Sequence, residues 1–343
     1  MDSLQPLENV PLSRHSTMRL GGPAKYLLDI TSPQQIEPAL QWAAQRNCKV
    51  IMIGDGSNIV WNDQGFDGLV LVNKIMGFEL QDQEFETFVN INAGENWDST
   101  VAKTVEAGLS GIENLSLIPG TAGATPVQNV GAYGKEIADT LVCVQAYDTL
   151  EKKMVVIPKT ECDFSYRKSR FNGKDKGRFM ITSITLALSK NPPMPPFYGA
   201  LQTYLSQHNI TTYTPQIIRK AVMAVRNSKL PDPAKVANCG SFFANPIIEK
   251  YQLEELIDKF PGIPHWDIGD NTSKISAAWM LDQMGLKGYH EPNTGMATWD
   301  KHALVFVNEK AKDTASLIAF RDAIIKKAEE KFGVTLKQEP ELI

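Results

Sequence analysis

The stretch Pro119-Gly-Thr-Ala-Gly-Ala-Thr-Pro-Val-Gln-Asn-Val-Gly-Ala-Tyr-Gly134 carries four glycines in sixteen residues and interleaves them with Thr125, Gln128, Asn129 and Tyr133. Glycine loses more backbone freedom on folding than any other residue, so a segment this rich in it serves close approach or unusual dihedrals. A shorter loop, Ile53-Gly54-Asp55-Gly56-Ser57-Asn58, directly follows the apolar run from Lys49 to Ile53. Its G-x-G start invites a dinucleotide-fold interpretation. The sixth position, however, is Ile59, and the residues from Val60 to Gly65 do not open a helix, so that fingerprint fails. What remains is a run of small residues whose amides can close around an anion, with Ser57 and Asn58 as added partners. Alone, either loop is first of all a structural turn. Together, on two consecutive α+β units, they suit a long diphosphate cofactor lying between those units.

The flanking patterns supply the units. Ser32-Pro33-Gln34-Gln35 opens a helix through a capping box with proline at the first position, and Ile36, Leu40, Ala43 and Ala44 form its apolar stripe. Strands follow at 49–53 and 69–73, then at 88–93, and Trp97, Val101 and Val105 mark a helix stopped by Gly108. Further strands are predicted at 141–147, 154–157 and 179–188. The run Asn191-Pro-Pro-Met-Pro-Pro196 can continue neither sheet nor helix and serves as a connector. Beyond it, helices near 215–227, 252–259, 274–284 and 313–332 surround a strand at 303–308. The fold class is therefore α+β.

Composition narrows the function. The 343 residues, 43% apolar and 22% charged, predict a globular chain of two or three domains. With 35 basic and 39 acidic residues and no basic block, nucleic acid is excluded as a partner. Cys48, Cys143, Cys162 and Cys239 are scattered, without C-x-x-C or a nearby histidine pair, so neither a metal site nor a disulfide framework is expected. No apolar run approaches the ~20 residues that cross a bilayer. The start lacks the segments of a signal peptide, which predicts a cytoplasmic protein.

The chain resembles the UDP-N-acetylenolpyruvoylglucosamine reductase family over nearly its whole length. The resemblance rests on Ser16-Thr-Met-Arg-Leu-Gly-Gly-Pro-Ala24, Gly54-Asp-Gly-Ser-Asn58, Glu95-Asn-Trp97 and Gly111-Ile-Glu-Asn-Leu115. It continues through the 119–134 loop, Tyr166-Arg-Lys-Ser-Arg-Phe171, Lys229-Leu-Pro-Asp-Pro233, Gly240-Ser-Phe-Phe-Ala-Asn-Pro246 and Glu339-Pro340. It implies a vanillyl-alcohol-oxidase-type FAD-binding fold of two α+β subdomains, 1–75 and 76–212, with a tyrosine loop near 192–201. A C-terminal α+β substrate-binding domain, 213–343, with a catalytic tail follows. FAD is then held noncovalently by Ile53, Gly54, Asp55, Gly56, Ser57, Asn58, Gly120, Gly123, Ala124, Thr125, Gln128, Asn129 and Gly131. Ala124-Thr125 stands where many members have two serines. NADPH is the implied co-substrate, and a monomer acting on small molecules is expected.

The resemblance assigns catalysis to Arg167, Ser241 and Glu339. It assigns substrate contacts to Tyr133, Tyr198, Arg226, Lys229, Asn245, Trp266, Lys274 and His302. The implied reaction adds hydride to the terminal carbon of an enolpyruvyl ether and a proton to the carbon bearing the ether oxygen. A guanidinium suits the negative charge that builds on the conjugated carboxylate. Ser241 is the expected proton donor, and Glu339 is expected to act protonated, since a carboxylate there would repel that charge. Two rivals remain: a flavin oxidase of the same fold, which gives no reason for GSFFANP, KLPDP or Glu339, and a nucleotide-sugar binding protein without redox activity.

Overall fold

The computed structural model describes residues 4–343. The chain divides into two compact units: one takes Ala24–Gly56 and Phe66–Ser228 with the N-terminal residues to Val10, the other Pro11–Pro23, Ser57–Gly65 and Lys229–Ile343. Two short N-terminal segments thus belong with the C-terminal part, and the boundary runs through the GDGSN loop between Gly56 and Ser57.

In the first unit the capping box forms as the sequence predicts. Gln35 Oε1 accepts from the Ser32 amide at 3.1 Å, and a 3-10 turn over Pro33–Gln35 leads into the helix Ile36–Ala44. The buried stripe keeps Ile36 and Ala43 of the expected four and adds Ala39. Ile36, Ala39 and Ala43 face inward, Leu40 is half-buried and Ala44 exposed. This helix packs with Leu69 and Leu71 of Phe66–Asn73, the inner strand of a four-stranded sheet ordered Leu7–Pro11, Pro23–Ile30, Phe66–Asn73, Lys49–Ile53. The strands on either side of Phe66–Asn73 run parallel to it.

A second, antiparallel sheet follows the order Lys153–Pro158, Leu141–Asp148, Phe179–Ser189, Glu86–Asn92, Phe78–Asp82. The helix Trp97–Glu106 covers it with Trp97, Val101 and Val105, which share a core with Val89, Ile91, Ile184 and Leu186. Asn96 caps this helix by accepting from the Ser99 amide at 3.0 Å, and Gly108 follows its end at φ 77°. Two further helices, Gly199–Gln207 and Pro215–Lys229, pack through Leu201, Leu205, Ile218, Ala221 and Val222.

Asp148, at the end of its strand, is 2% exposed and accepts from Arg178 Nε at 3.1 Å and Nη2 at 2.6 Å, and from the amides of Leu150 and Glu151. The Arg178 guanidinium holds its carboxyl down at about 2. A depressed carboxyl pKa stabilises the fold fully above the unfolded value of about 3.9, and that stability is lost as pH falls through about 2. Asp148→Asn is therefore expected to lower stability by about 2 kcal/mol at pH 7. The difference from wild type should shrink between pH 4 and 2, read by denaturant midpoints at each pH. A gap independent of pH would refute this.

The second unit is built on the sheet Asn238–Ser241, His302–Asn308, Met296–Trp299, His290–Glu291. Its core centres on aromatic rings: Phe242 stacks on Phe306 at 4.3 Å, and Phe243 meets Phe306 edge-on at 5.4 Å. The long helix Thr314–Phe332 adds Leu317, Phe320, Ile324 and Ala328, and ends at Gly333 in the left-handed conformation. A smaller sheet orders Ile247–Glu249, Thr272–Ile275 and His265–Asp267. The helix expected at 274–284 is shorter, Ala277–Gln283, because Ser276 caps it by accepting from the Trp279 amide at 3.2 Å and the residues before it pair as a strand. The segment around Glu291 and Pro292 closes a short hairpin in which Tyr289 Oη donates to Glu291 Oε2 at 2.6 Å.

Candidate active site

In the first unit the two glycine-rich loops touch. A Cβ on Gly54 would collide with Thr121 Oγ1, and one on Gly123 would collide with Ala93. Hydrogen at Gly54 lets the two loops approach, and hydrogen at Gly123 lets the longer loop pack on Ala93. The longer loop is stitched to the segment before Trp97, with the Ala122 amide donating to Glu95 O at 2.8 Å and the Gly123 amide to Ala93 O at 3.0 Å. Ile53 ends its strand buried, and Gly56 is buried at φ 69°. Among the described residues, the amides of Asp55 and Gly56 donate to no protein group. Asp55 is exposed and Gly56 buried, and amides without a protein acceptor, set among small residues, suit an anionic oxygen such as that of a diphosphate. The residues present therefore fit the cofactor.

Other loop side chains are committed within the unit. Thr125 Oγ1 donates to Ala122 O at 2.7 Å, closing a local turn. Asn129 Nδ2 donates to Glu136 Oε2 at 2.7 Å and to Ser165 O at 3.2 Å, and its Oδ1 accepts from the Ala138 amide. Asn129 thus shapes the loop, itself at φ 46°. Ala124 is exposed, Gln128 half-buried and Gly120 buried at φ 120°.

Arg167, in the left-handed region at φ 56°, lies against the loop's far end. Its Nη2 donates to Gly131 O at 2.8 Å, and its guanidinium lies 5.1 Å from the Tyr166 ring centre. Tyr133 is close by in sequence at φ 51°, its carbonyl held by Asn114 Nδ2 at 2.9 Å, and its ring meets Tyr198 edge-on at 6.2 Å. Burial pushes the Tyr133 phenol up, against the opposing pull of Arg226, so it stays a neutral donor. Tyr198, 46% exposed, immediately precedes the helix Gly199–Gln207. Arg226 Nη2 donates to Leu117 O at 3.1 Å, while its Nε is buried without a hydrogen-bond partner. Burial lowers the Arg226 pKa below its ordinary value. The first unit thus gathers Tyr133, Arg167, Tyr198 and Arg226 around the long loop.

The second unit gathers another set. The pairing of Asn238–Ser241 with His302–Asn308 shifts register between Asn238 and Ser241, where Gly240 sits at φ 75°. This irregularity leaves Ser241 exposed and turns both Phe242 and Phe243 into the core. The Glu339 amide donates to Phe242 O at 2.9 Å, which ties the tail one residue from Ser241. The tail is firmly held. Glu341–Leu342 pairs in parallel with Ile59–Val60, the Glu341 amide donates to Asn58 O at 2.9 Å, and the Asn62 amide donates to Ile343 O at 2.7 Å. Asn58 Nδ2 also reaches Glu339 O at 3.4 Å, and Thr17 Oγ1 donates to Ser57 O at 3.3 Å. Ser57 and Asn58 therefore stand in the unit that carries the tail.

Asn245 Oδ1 accepts from the Ala277 amide at 3.0 Å. Lys274 and Trp266 are cross-strand partners, with the ammonium 5.5 Å from the indole centre. His302 is partly buried, and desolvation pushes its pKa below the usual histidine value, with Lys229 and Lys287 adding to the shift and Asp282 opposing it. The Leu304 amide lies 3.4 Å from His302 Nδ1. Lys229, the last residue of its helix, is exposed.

Sequence patterns gave no role to Asp98, Arg219, Asn114 or Cys239. The first two form a bidentate ion pair at 2.6 and 2.9 Å, Asn114 holds Tyr133, and Cys239 lies buried in the core of the second unit. Asn114 lies within the Gly111–Leu115 motif and Cys239 among the scattered thiols, but the sequence attaches no individual role to either, and Arg219 stands one heptad before Arg226. Among the described residues no group of three or more His, Cys, Asp or Glu side chains is placed to hold a metal, and no helix is long and apolar enough to cross a membrane.

Residues 24–152 match the model of an FAD binding domain. With two contacting glycine-rich loops that fit a diphosphate, this places the chain among FAD-binding flavoproteins. Residues 232–343 match the C-terminal domain of UDP-N-acetylenolpyruvoylglucosamine reductase. The reductase of that name from Ralstonia nicotianae is 38% identical over 97% of this chain and 98% of its own length. The one from Alcanivorax borkumensis is 39% identical over 94% and 93%. The chain belongs to the UDP-N-acetylenolpyruvoylglucosamine reductase family. The crystal structure of the reductase from Thermus caldophilus, 21% identical, shares the fold with a TM-score of 0.69 over 99% of both chains.

Proposed function

We propose that the protein reduces the enolpyruvyl ether of UDP-N-acetylglucosamine enolpyruvate to UDP-N-acetylmuramate, a peptidoglycan precursor, at the expense of NADPH. The observation that carries this is the full-length likeness to reductases of that name, which spans both units rather than the FAD-binding part alone. When bound, FAD would supply the two-electron chemistry that links NADPH oxidation to hydride addition at the terminal vinyl carbon. The amides of Asp55 and Gly56, with Gly120, Gly123 and Gly131, would hold its diphosphate side.

The protein's own groups handle charge and proton. Hydride addition pushes an electron pair toward the substrate carboxylate, and the Arg167 guanidinium stabilises that charge while keeping its own proton. Ser241 gives its hydroxyl proton to the carbon bearing the ether oxygen, and solvent resupplies it. Glu339 acts protonated, donating a hydrogen bond where a carboxylate would repel the growing negative charge. Lys229, Lys274 and Arg226 offer positive charge to a diphosphate. Tyr133, Tyr198, Asn245, Trp266 and His302 orient the rest of the substrate. One site serves NADPH and then the enolpyruvyl compound, which makes turnover ping-pong. We place FAD contacts in 1–75 and 76–212 and substrate contacts in 213–343, joined by Tyr133, Arg167 and Tyr198 from 76–212, in a cytoplasmic monomer whose mass light scattering would check.

The purified protein is expected to be yellow, to lose its flavin absorbance on anaerobic NADPH addition and to regain it when the enolpyruvyl sugar nucleotide follows. A colourless protein that takes up no FAD would favour a nucleotide-sugar binder. Bleaching by other donors without reoxidation by this substrate would favour an oxidase of the same fold.

A further inference from the structure

The helix Pro215–Lys229 carries a polar stripe beside its apolar face: Gln216, Arg219 and Arg226, at spacings of three and seven. All three side chains reach the segment from Asp98 to Leu117. Gln216 Nε2 donates to Val105 O at 2.6 Å. Arg219 meets Asp98 fork to fork, Nη1 to Oδ1 at 2.6 Å and Nη2 to Oδ2 at 2.9 Å. Arg226 Nη2 donates to Leu117 O at 3.1 Å. Leu117 is caught from both sides, because its amide donates to Asp98 Oδ1 at 2.6 Å.

Leu117 needs such a grip. Its φ is 57°, a conformation that a branched aliphatic side chain rarely adopts unless neighbours impose it. Two residues later Pro119 opens the glycine-rich loop, so the direction in which the chain leaves Leu117 sets where that loop begins. Asp98 is the hub, since one of its oxygens serves both the Leu117 amide and Arg219. An ionised acceptor makes such bonds shorter and stronger than a neutral one. The side chains of Arg219 and Asp98 are 13% and 27% exposed, which limits screening.

We propose that Asp98 and Arg219 are positioning residues for the flavin loop, their ion pair fixing the left-handed turn at Leu117 from which residues 119–134 depart. The latch presupposes that this loop contacts FAD. It makes the helix bearing Arg226 a structural support of the cofactor loop, a role separate from any substrate contact.

The test is FAD titration of the apoprotein, followed by flavin fluorescence quenching and by the visible circular dichroism of bound flavin. Asp98→Asn and Arg219→Leu are expected to raise the Kd for FAD roughly tenfold or more, the equivalent of one charge-assisted hydrogen bond, and to change the visible dichroism. Arg219→Lys keeps the charge but not the fork, and should give an intermediate Kd. If the pair merely cements the helix, melting temperatures will fall while Kd and dichroism stay at wild-type values in all three variants, and the proposal is overturned. Should the wild-type apoprotein itself bind no FAD, the cofactor assignment fails, and the latch with it.

Discussion

Ser241→Ala is expected to leave reduction of the bound flavin by NADPH at wild-type speed and to slow its reoxidation by the enolpyruvyl substrate by ~10²-fold or more, the low end for a positioned general acid. The two half-reactions separate because only the second needs a proton on carbon. Ser241 is well placed to be positioned. The irregularity at Gly240 turns it outward, while the Phe242 amide donates to Leu304 O at 2.8 Å and two buried rings anchor the chain immediately after it. Alanine removes the hydroxyl and disturbs none of these contacts. Stopped-flow reoxidation at the wild-type rate would remove Ser241 from the mechanism. In the same experiment Glu339→Gln should keep more rate than Glu339→Ala, because an amide can still donate a hydrogen bond. The reverse order would point to an ionised carboxylate.

Arg167→Lys should be nearly as damaging in the same half-reaction, again by ~10²-fold, the cost of losing one preorganised donor to a developing anion. Charge is conserved, so a simple electrostatic role would survive. The guanidinium, however, is anchored by the bond from its Nη2 to Gly131 O at 2.8 Å, which fixes the orientation of its planar fork. An ammonium on a flexible stem cannot keep the anchor and present an aligned pair of donors at once. Unchanged reoxidation with a raised KM would reduce Arg167 to a binding residue.

Local signals were legible in the sequence where local physics settles the structure. The Ser32 capping box, the helix stop at Gly108 and the alternating strand Phe179–Ser189 depend on residues within a few positions of each other. The strand Pro23–Ile30 was hidden because its buried positions, Ala24, Leu27 and Ile30, recur every third residue, a spacing no alternation rule detects. Thr272–Ile275 merged into a helical pattern because the cap that divides them is a single serine. The membership of 11–23 and 57–65 in the second unit had no sequence signature, since it depends on pairings with residues more than two hundred positions away. The site divides likewise. The glycine-rich loops and the motifs around Arg167, Ser241 and Glu339 could be read directly, whereas Asp98 and Arg219 acquire meaning only once a helix from 121 positions on is laid beside them.

Cys239 gives the molecule a built-in reporter. Its thiol is buried in the core of the second unit, and that burial raises its pKa, so the folded protein keeps it inert to alkylating reagents. Any opening of that core would show as time-dependent maleimide labelling at this one position, resolved from the other thiols by peptide mass. The labelling rate would then measure how often the second unit opens, without a single engineered residue.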